Sequence, residues 1–272
     1  MSDMKTVLIT GAAYRIGAHL AKGLAAQGWT IAIHYNRSEK NANALADEIR
    51  SAGGQAICVQ ANLCIPNDVD SLVARASDKL GCGLNALINN ASTFHPDDSE
   101  DFSRGVYDHH MEVNLHAPLK LAQAFSTQKN MQFGPQDRSG CIINILDQRV
   151  LKPNPLYFTY ALSKAGLYWA TKTLAQSLAP NIRVNGIGPG PTLKNTEQTD
   201  EEFASEAALT LLENGSPPPA ILHSVQYLLD AQSVTGQMIA VDGGQHLNWD
   251  TADLTLGLYE NVPNDHQYVE EE

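Results

Sequence analysis

No stretch of the sequence is apolar for long enough to cross a bilayer. The opening MSDMKTVLIT carries no signal-peptide pattern, because its apolar run is short and lacks a cleavage site. Both absences predict a cytoplasmic protein with no membrane partner. Basic charge is scarce, with 18 Lys and Arg against 30 Asp and Glu for a formal net charge of -12. That balance argues against nucleic acid or an anionic membrane surface as partner, since both attract basic patches. The four cysteines, Cys58, Cys64, Cys82 and Cys141, include no CxxC pair and lie in or near apolar segments. They are expected to be small hydrophobes in a reducing compartment, with no redox or metal role. Internal repeats and low-complexity tracts are also missing, and 272 residues at 43% hydrophobic content suit one large core.

What is present is an alternation. Short β-branched runs (TVLIT, TIAIHY, AICVQANL, ALINNA, CIINIL, IRVNGIG, QMIAVDGG) are each followed by a longer helical pattern. This predicts an α/β fold, a doubly wound Rossmann-type parallel sheet of about seven strands with helices on both faces, as a single domain over residues 1–249. The first crossover, Arg15 to Gln27, places Ile16, Leu20 and Leu24 on one face. The second, SEKNANALADEIRSAGG, opens on Ser38 as a cap and closes on glycine. From Asp250 the charges are all acidic and the strand pattern stops, so residues 250–272 are expected to form an acidic tail, loosely ordered or packed on a neighbouring subunit.

TGAAYRIG, residues 10–17, lies between the first strand and its helix. Glycines there let the backbone approach a pyrophosphate seated on the helix N-terminus, which nominates Gly11, Arg15, Ile16 and Gly17 for a dinucleotide. An NAD site places a carboxylate at the end of the second strand for the ribose 2′-hydroxyl. This chain has HYNRS, with Tyr35, Asn36, Arg37 and Ser38 and no acid. An arginine fork suits a 2′-phosphate, so NADPH is expected over NADH; the alternative is a solvated arginine opening a helix.

Two Tyr-x-x-x-Lys pairs occur, Tyr160 with Lys164 and Tyr168 with Lys172, and each would share a helix face. The first lies near the helix start, at the carboxyl edge of the sheet where ligands bind. Tyr160 is therefore the candidate acid, with Lys164 expected to pull its pKa below about 10; Tyr168 and Lys172 are assigned to packing and surface. CIINILDQ raises a separate question, because an otherwise apolar strand ends on the carboxylate Asp147. An unpaired buried carboxylate is costly, so Asp147 must sit at a strand end, beside a partner or in a working site.

TGAAYRIG, NNAS (89–92), VNLHAP (113–118), Tyr160-Ala-Leu-Ser-Lys164, RVNGIGPG (183–190) and VDGG (241–244) together resemble the short-chain dehydrogenase/reductase family, and the likeness runs to about Leu247. The resemblance implies that Asn114 joins Tyr160 and Lys164 in a proton relay. It implies further that Asn62, Leu63, Asn90, Ala91, Pro189 and Gly190 contact the cofactor, that 191–219 forms a substrate lid, and that the chain is a homotetramer. For Asn114 a helix-bending side-chain bond is compatible with that role. His109, His110 and His116 have no metal-ligand spacing and are left as helix surface or satisfied core.

Departures from the family pattern sharpen the resemblance. Arg15 stands where most members have glycine, Asn62 where many have aspartate, and Asp147 where most have a catalytic serine. An ionised aspartate cannot donate to a ketone oxygen as a serine does. With Tyr35, Arg37, Ser38, Ser92 and Phe94 these departures are similar to the pteridine reductases. That implies a pterin-like heterocycle as substrate, with Phe94 stacking on its ring and Ser92 and Arg15 helping to bind its polar edge and the cofactor phosphates. The alternative for Phe94 is a cap on the hydrophobic core. Asp147 would recognise and protonate the heterocycle, its pKa raised by partial desolvation so that activity is best on the acidic side of neutrality. A reductase of another carbonyl or imine, and a non-catalytic NADPH-binding regulator, are the alternative functions.

Overall fold

The computed structural model describes residues 4–128, 140–194 and 198–249. The 250–272 tail and residues 195–197 of the expected lid lie outside the described residues. Among the described residues, seven strands are β1 (Thr6–Ile9), β2 (Thr30–Tyr35), β3 (Gln55–Gln60), β4 (Ala86–Asn89), β5 (Gly140–Ile145), β6 (Ile182–Pro189) and β7 (Met238–Val241). All pair in parallel, in the order β3-β2-β1-β4-β5-β6-β7. The central strands are mostly apolar because both faces are covered, and β1 and β5 are buried along their whole length.

The helices are α1 (Arg15–Ala25), α2 (Glu39–Ser51), α3 (Pro66–Leu80), α4 (Arg104–Met111), α5 (Ala117–Ser126), α6 (Phe158–Leu178), α7 (Asp200–Ala208) and α8 (Pro218–Asp230). A π-helical turn, Glu112–His116, joins α4 to α5. One apolar cluster packs α1, α2 and α8 on the sheet through Leu20, Leu24, Leu45 and Val225. The other packs α3 and α5 on the opposite face through Leu72, Leu121 and the fully buried Phe125. Leu20 and Leu24 are core, as their spacing predicts, and Ile16 packs against them. Two details differ from expectation. Helix α1 ends at Ala25, two residues before Gln27, and Ser38 holds the α2 N-cap position without a side-chain capping bond.

The order of strands reverses between β1 and β4, which opens a crevice at their carboxyl ends. Gly11 turns the chain there with φ +62°, and a Cβ on it would lie 2.9 Å from the Ala91 Cα. The turn is held from β2. The Gly11 amide donates to His34 Nδ1 at 2.9 Å, and His34 Nε2 lies 3.1 Å from the Ala61 carbonyl. A backbone amide can only donate, so Nδ1 accepts and Nε2 carries the proton. Burial holds this neutral imidazole down to about 4 from its ordinary value near 6.5, although the Ala61 bond works in the opposite direction.

A depressed histidine binds its proton in the unfolded chain before it does in the folded one, so stability is lost as pH falls from about 6.5 toward about 4. His34→Asn keeps an acceptor for Gly11 without a titrating ring. Thermal denaturation of this variant is expected to show a shallower fall in Tm over that window than the parent shows, and equal slopes would contradict the assignment.

Candidate active site

A cleft of about 850 Å³ runs along the crevice. Its lining includes every site residue expected from the sequence except Asn114. At one end lies the N-terminus of α1, which has no side-chain cap and no acid in its first turn, so its free amides point into the cleft uncompensated. Gly17 must be small, since a Cβ there would come within 2.5 Å of the Gly11 carbonyl. Arg15 occupies a left-handed position, φ +56°, a conformation that glycine adopts most easily. Its guanidinium donates to the Lys194 and Leu193 carbonyls at 2.8 and 3.1 Å, tying the turn to the segment after β6. Asn90 donates to the Thr10 carbonyl at 2.8 Å and braces the same turn from β4. Arg37 is exposed at the rim, past the end of β2. The Asn62 side-chain oxygen accepts from the Cys64 amide at 3.1 Å, an Asx turn.

At the other end, Asp147 follows β5 and is 9% exposed. Its Oδ1 accepts the Arg149 amide at 2.8 Å, and its Oδ2 accepts both Arg149 Nη1 at 3.1 Å and the Tyr160 hydroxyl at 2.8 Å. Tyr160 and Lys164 lie in the first two turns of α6 and are both buried. Lys164 donates to the Ile145 carbonyl at 2.8 Å, and burial pushes its pKa down to about 8, partly offset by Asp147. The expected lowering of the Tyr160 pKa is not what the structure shows. Burial, then the Asp147 charge and its hydrogen bond, raise it well above 10, while Arg149 and the Ser92 hydroxyl pull more weakly the other way. Lys164 is 5.8 Å from the phenol ring centroid and bonded elsewhere, whereas the carboxylate touches the hydroxyl.

Asn114 is fully buried in the π-helical turn. Its Oδ1 accepts from the Thr93 amide and from Ser92 Oγ at 2.8 and 3.2 Å, and its Nδ2 donates to the Thr93 carbonyl and to Ser163 Oγ at 3.0 and 3.1 Å. These bonds join the loop after β4 to α6 and place Ser92, without a side-chain bond to Tyr160 or Lys164. Phe94 is 37% exposed in the cleft. One of its neighbours is Tyr157, stacked with centroids 4.1 Å apart at 14°, and Tyr160 meets it edge-on at 4.7 Å. Tyr168 and Lys172 form their own cation–π contact at 4.2 Å and do not line the cleft.

Several contributors carry no sequence signal. Arg149 pairs with Asp147 and lies 5.6 and 5.5 Å from the Phe94 and Tyr157 centroids. Asp97, from the loop bearing Phe94, caps α6 in place of a local residue. Its carbonyl accepts the Tyr157 amide at 2.8 Å, and its carboxylate accepts the Thr159 amide at 3.1 Å and the Thr159 hydroxyl. His110 is satisfied core as anticipated, accepting the His95 amide at 3.1 Å and bonding Thr159 Oγ1 at 2.7 Å; His116 pairs with Glu112 on the surface. Among the described residues no helix is long and apolar enough to cross a membrane, no cluster is placed to hold a metal, and the four cysteines are free.

A switch-point crevice, a glycine turn on an uncapped helix and a Tyr-x-x-x-Lys pair beside it define a nicotinamide-dependent oxidoreductase site. The short chain dehydrogenase family matches residues 5–207, and the chain belongs to it. The crystal structure of FolM alternative dihydrofolate reductase 1 from Brucella canis, complexed with NADP, is 44% identical with a TM-score of 0.85, covering 92% of this chain and 97% of that one. The Brucella suis FolM structure, also with NADP, is 44% identical with a TM-score of 0.86, covering 93% and 99%. A curated relative, 3-oxoacyl-[acyl-carrier-protein] reductase FabG of Staphylococcus aureus, is 29% identical over 252 residues, 91% of this chain and all of that protein.

Tyr160→Phe is expected to lower kcat by about a thousandfold, the scale of a lost general acid, while the dissociation constant of the nicotinamide cofactor stays within about twofold. Tyr168→Phe should leave both unchanged. A silent Tyr160→Phe would show that another group supplies the proton.

Proposed function

We propose that the chain is an NADPH-dependent reductase of a pterin-like C=N heterocycle, with Tyr160 as proton donor and Asp147 as the group that recognises the ring. The observation that carries this is the state of Asp147. Paired with Arg149 and accepting three hydrogen bonds, it stands as an acceptor at the position where the family resemblance implies a donating hydroxyl. A ketone oxygen beside it would meet a carboxylate and gain nothing; a ring N–H would meet its partner. Protonation of the heterocycle therefore falls to Tyr160, and Asp147 keeps the recognition role.

The cofactor fits the residues present. The uncapped α1 N-terminus and the glycine turn suit a pyrophosphate, and Arg37, with no acid at the end of β2, suits a 2′-phosphate. Bound there, NADPH would supply hydride to the carbon of a C=N bond, while Tyr160 would donate its proton to the nitrogen as the π bond breaks and would be reprotonated from water. Lys164, anchored on Ile145, places positive charge near the phenol as that negative charge develops. Phe94, braced by Tyr157, offers a flat apolar wall to a planar ring. The Brucella FolM relatives, described as alternative dihydrofolate reductases with NADP, support both halves of the proposal. FabG, a reductase of 3-oxoacyl groups, supports the same chemistry on a carbonyl, against which Asp147 weighs.

The substrate is tested by following NADPH consumption over a panel of dihydropterins, dihydrofolate, quinones and ketones. The dihydropterins should give the highest kcat/KM, and preference for a simple ketone would overturn the proposal. For the cofactor, Arg37→Asp is expected to lower the NADPH over NADH ratio of kcat/KM by about a hundredfold, since it replaces a charge-assisted bond by repulsion. An unchanged ratio would mean that another residue reads the 2′ position.

A further inference from the structure

In the resting site the proton needed for catalysis is pointed the wrong way. Tyr160 donates it to Asp147 at 2.8 Å, between two side chains that are 5% and 9% exposed. Arg149 holds the acceptor in place through its amide and its guanidinium, so the carboxylate does not turn away. Among the described residues, three groups with charge or a titrating proton face Asp147: Arg149 from its own loop, and Tyr160 and Lys164 from α6. The loop after β4 contributes the neutral Ser92 hydroxyl near Tyr160.

We propose that Asp147 and Arg149 form a selectivity lock on Tyr160, released only by a substrate that brings its own N–H donor to Asp147. Such a donor takes over the Oδ2 lone pair, and the phenol hydroxyl is freed to turn toward the nitrogen to be reduced. A planar substrate with a donor N–H edge beside its reducible C=N bond satisfies both demands at once. A substrate without that edge binds in the same cleft but leaves Tyr160 donating to the carboxylate. The cost of prising it away is that of a hydrogen bond to a charged group, which slows kcat while leaving KM little changed. This inference rests on the reductase reading above and narrows its substrate class. Arg149 is the positioning residue, acting through Asp147.

Two measurements test the lock. The first needs no substrate and survives any failure of the pterin assignment. In protein labelled at the tyrosine ring carbon that bears oxygen, the Tyr160 signal, assigned by its loss in Tyr160→Phe, should titrate above the ordinary tyrosine range, and Asp147→Ser should bring its midpoint down by at least about one pH unit. An ordinary midpoint in the parent, or none moved by Asp147→Ser, overturns the lock. The second compares one heterocycle with its analogue methylated at the donor nitrogen. The parent should prefer the N–H form by at least about a hundredfold in kcat/KM. In Asp147→Ser the kcat of the methylated form should rise by about tenfold or more, the size of one hydrogen bond to a charged group. If Asp147 served recognition alone, that kcat would not rise. Should Asp147→Ser fold poorly, Arg149→Met reads the same device. With the carboxylate no longer held, the kcat of the methylated form should rise by about tenfold, and Arg149→Lys, which keeps the cation, should return it toward the parent value. An unchanged kcat for the methylated form in Arg149→Met overturns the role of Arg149.

Discussion

A single hydrogen bond, from the Tyr160 hydroxyl to Asp147, joins the end of β5 to the first turn of α6, and the character of the site follows from it. It makes the carboxylate an acceptor and keeps the phenol neutral and proton-bearing. Burial magnifies each effect, because charge and dipole interact more strongly away from water and an unpaired partner would be costly there.

The rest of the fold serves to hold that bond and the cofactor end of the cleft in register. Strand β5 is buried along its length and pairs β4 and β6 over consecutive residues, which fixes where Asp147 emerges. Helix α6 is entered through Tyr157 at its N-cap in a left-handed conformation and has no side-chain cap of its own, so its first amides depend on Asp97 from the loop that carries Phe94. Phe94 and Tyr160 are thereby set by one junction. At the far end His34 and Asn90 brace the glycine turn, and Arg15 links it to the segment after β6. That last link joins the glycine turn and the segment after β6 through one side chain.

Much of this was legible in the sequence because it is written in local patterns. Alternating β-branched runs and helical stretches reveal a parallel sheet, and the order of the motifs along it assigns the glycine turn and the Tyr160 to Lys164 pair to one edge. Position also separated Tyr160 from Tyr168, whose spacing to lysine is identical. Electrostatic state was not legible. The sequence places a lysine four residues from Tyr160 and invites a lowered pKa, but in the fold Lys164 bonds to a backbone carbonyl while Asp147, thirteen residues away, touches the hydroxyl. Arg149 and Asp97 escaped notice for the same reason: a lone arginine or aspartate in a loop has no period, and its partner is known only once the chain has closed. Asn114 was placed by resemblance, and the structure gives it a bracing task between Ser92, Thr93 and Ser163.

The most direct test of the account is a crystal structure of the ternary complex with oxidised cofactor and a dihydropterin. Asp147 Oδ2 should accept a ring N–H at about 2.9 Å, with the Tyr160 hydroxyl turned away from it and toward the nitrogen of the reducible bond. A complex in which Tyr160 still donates to Asp147, with the ring held by other groups, would contradict it.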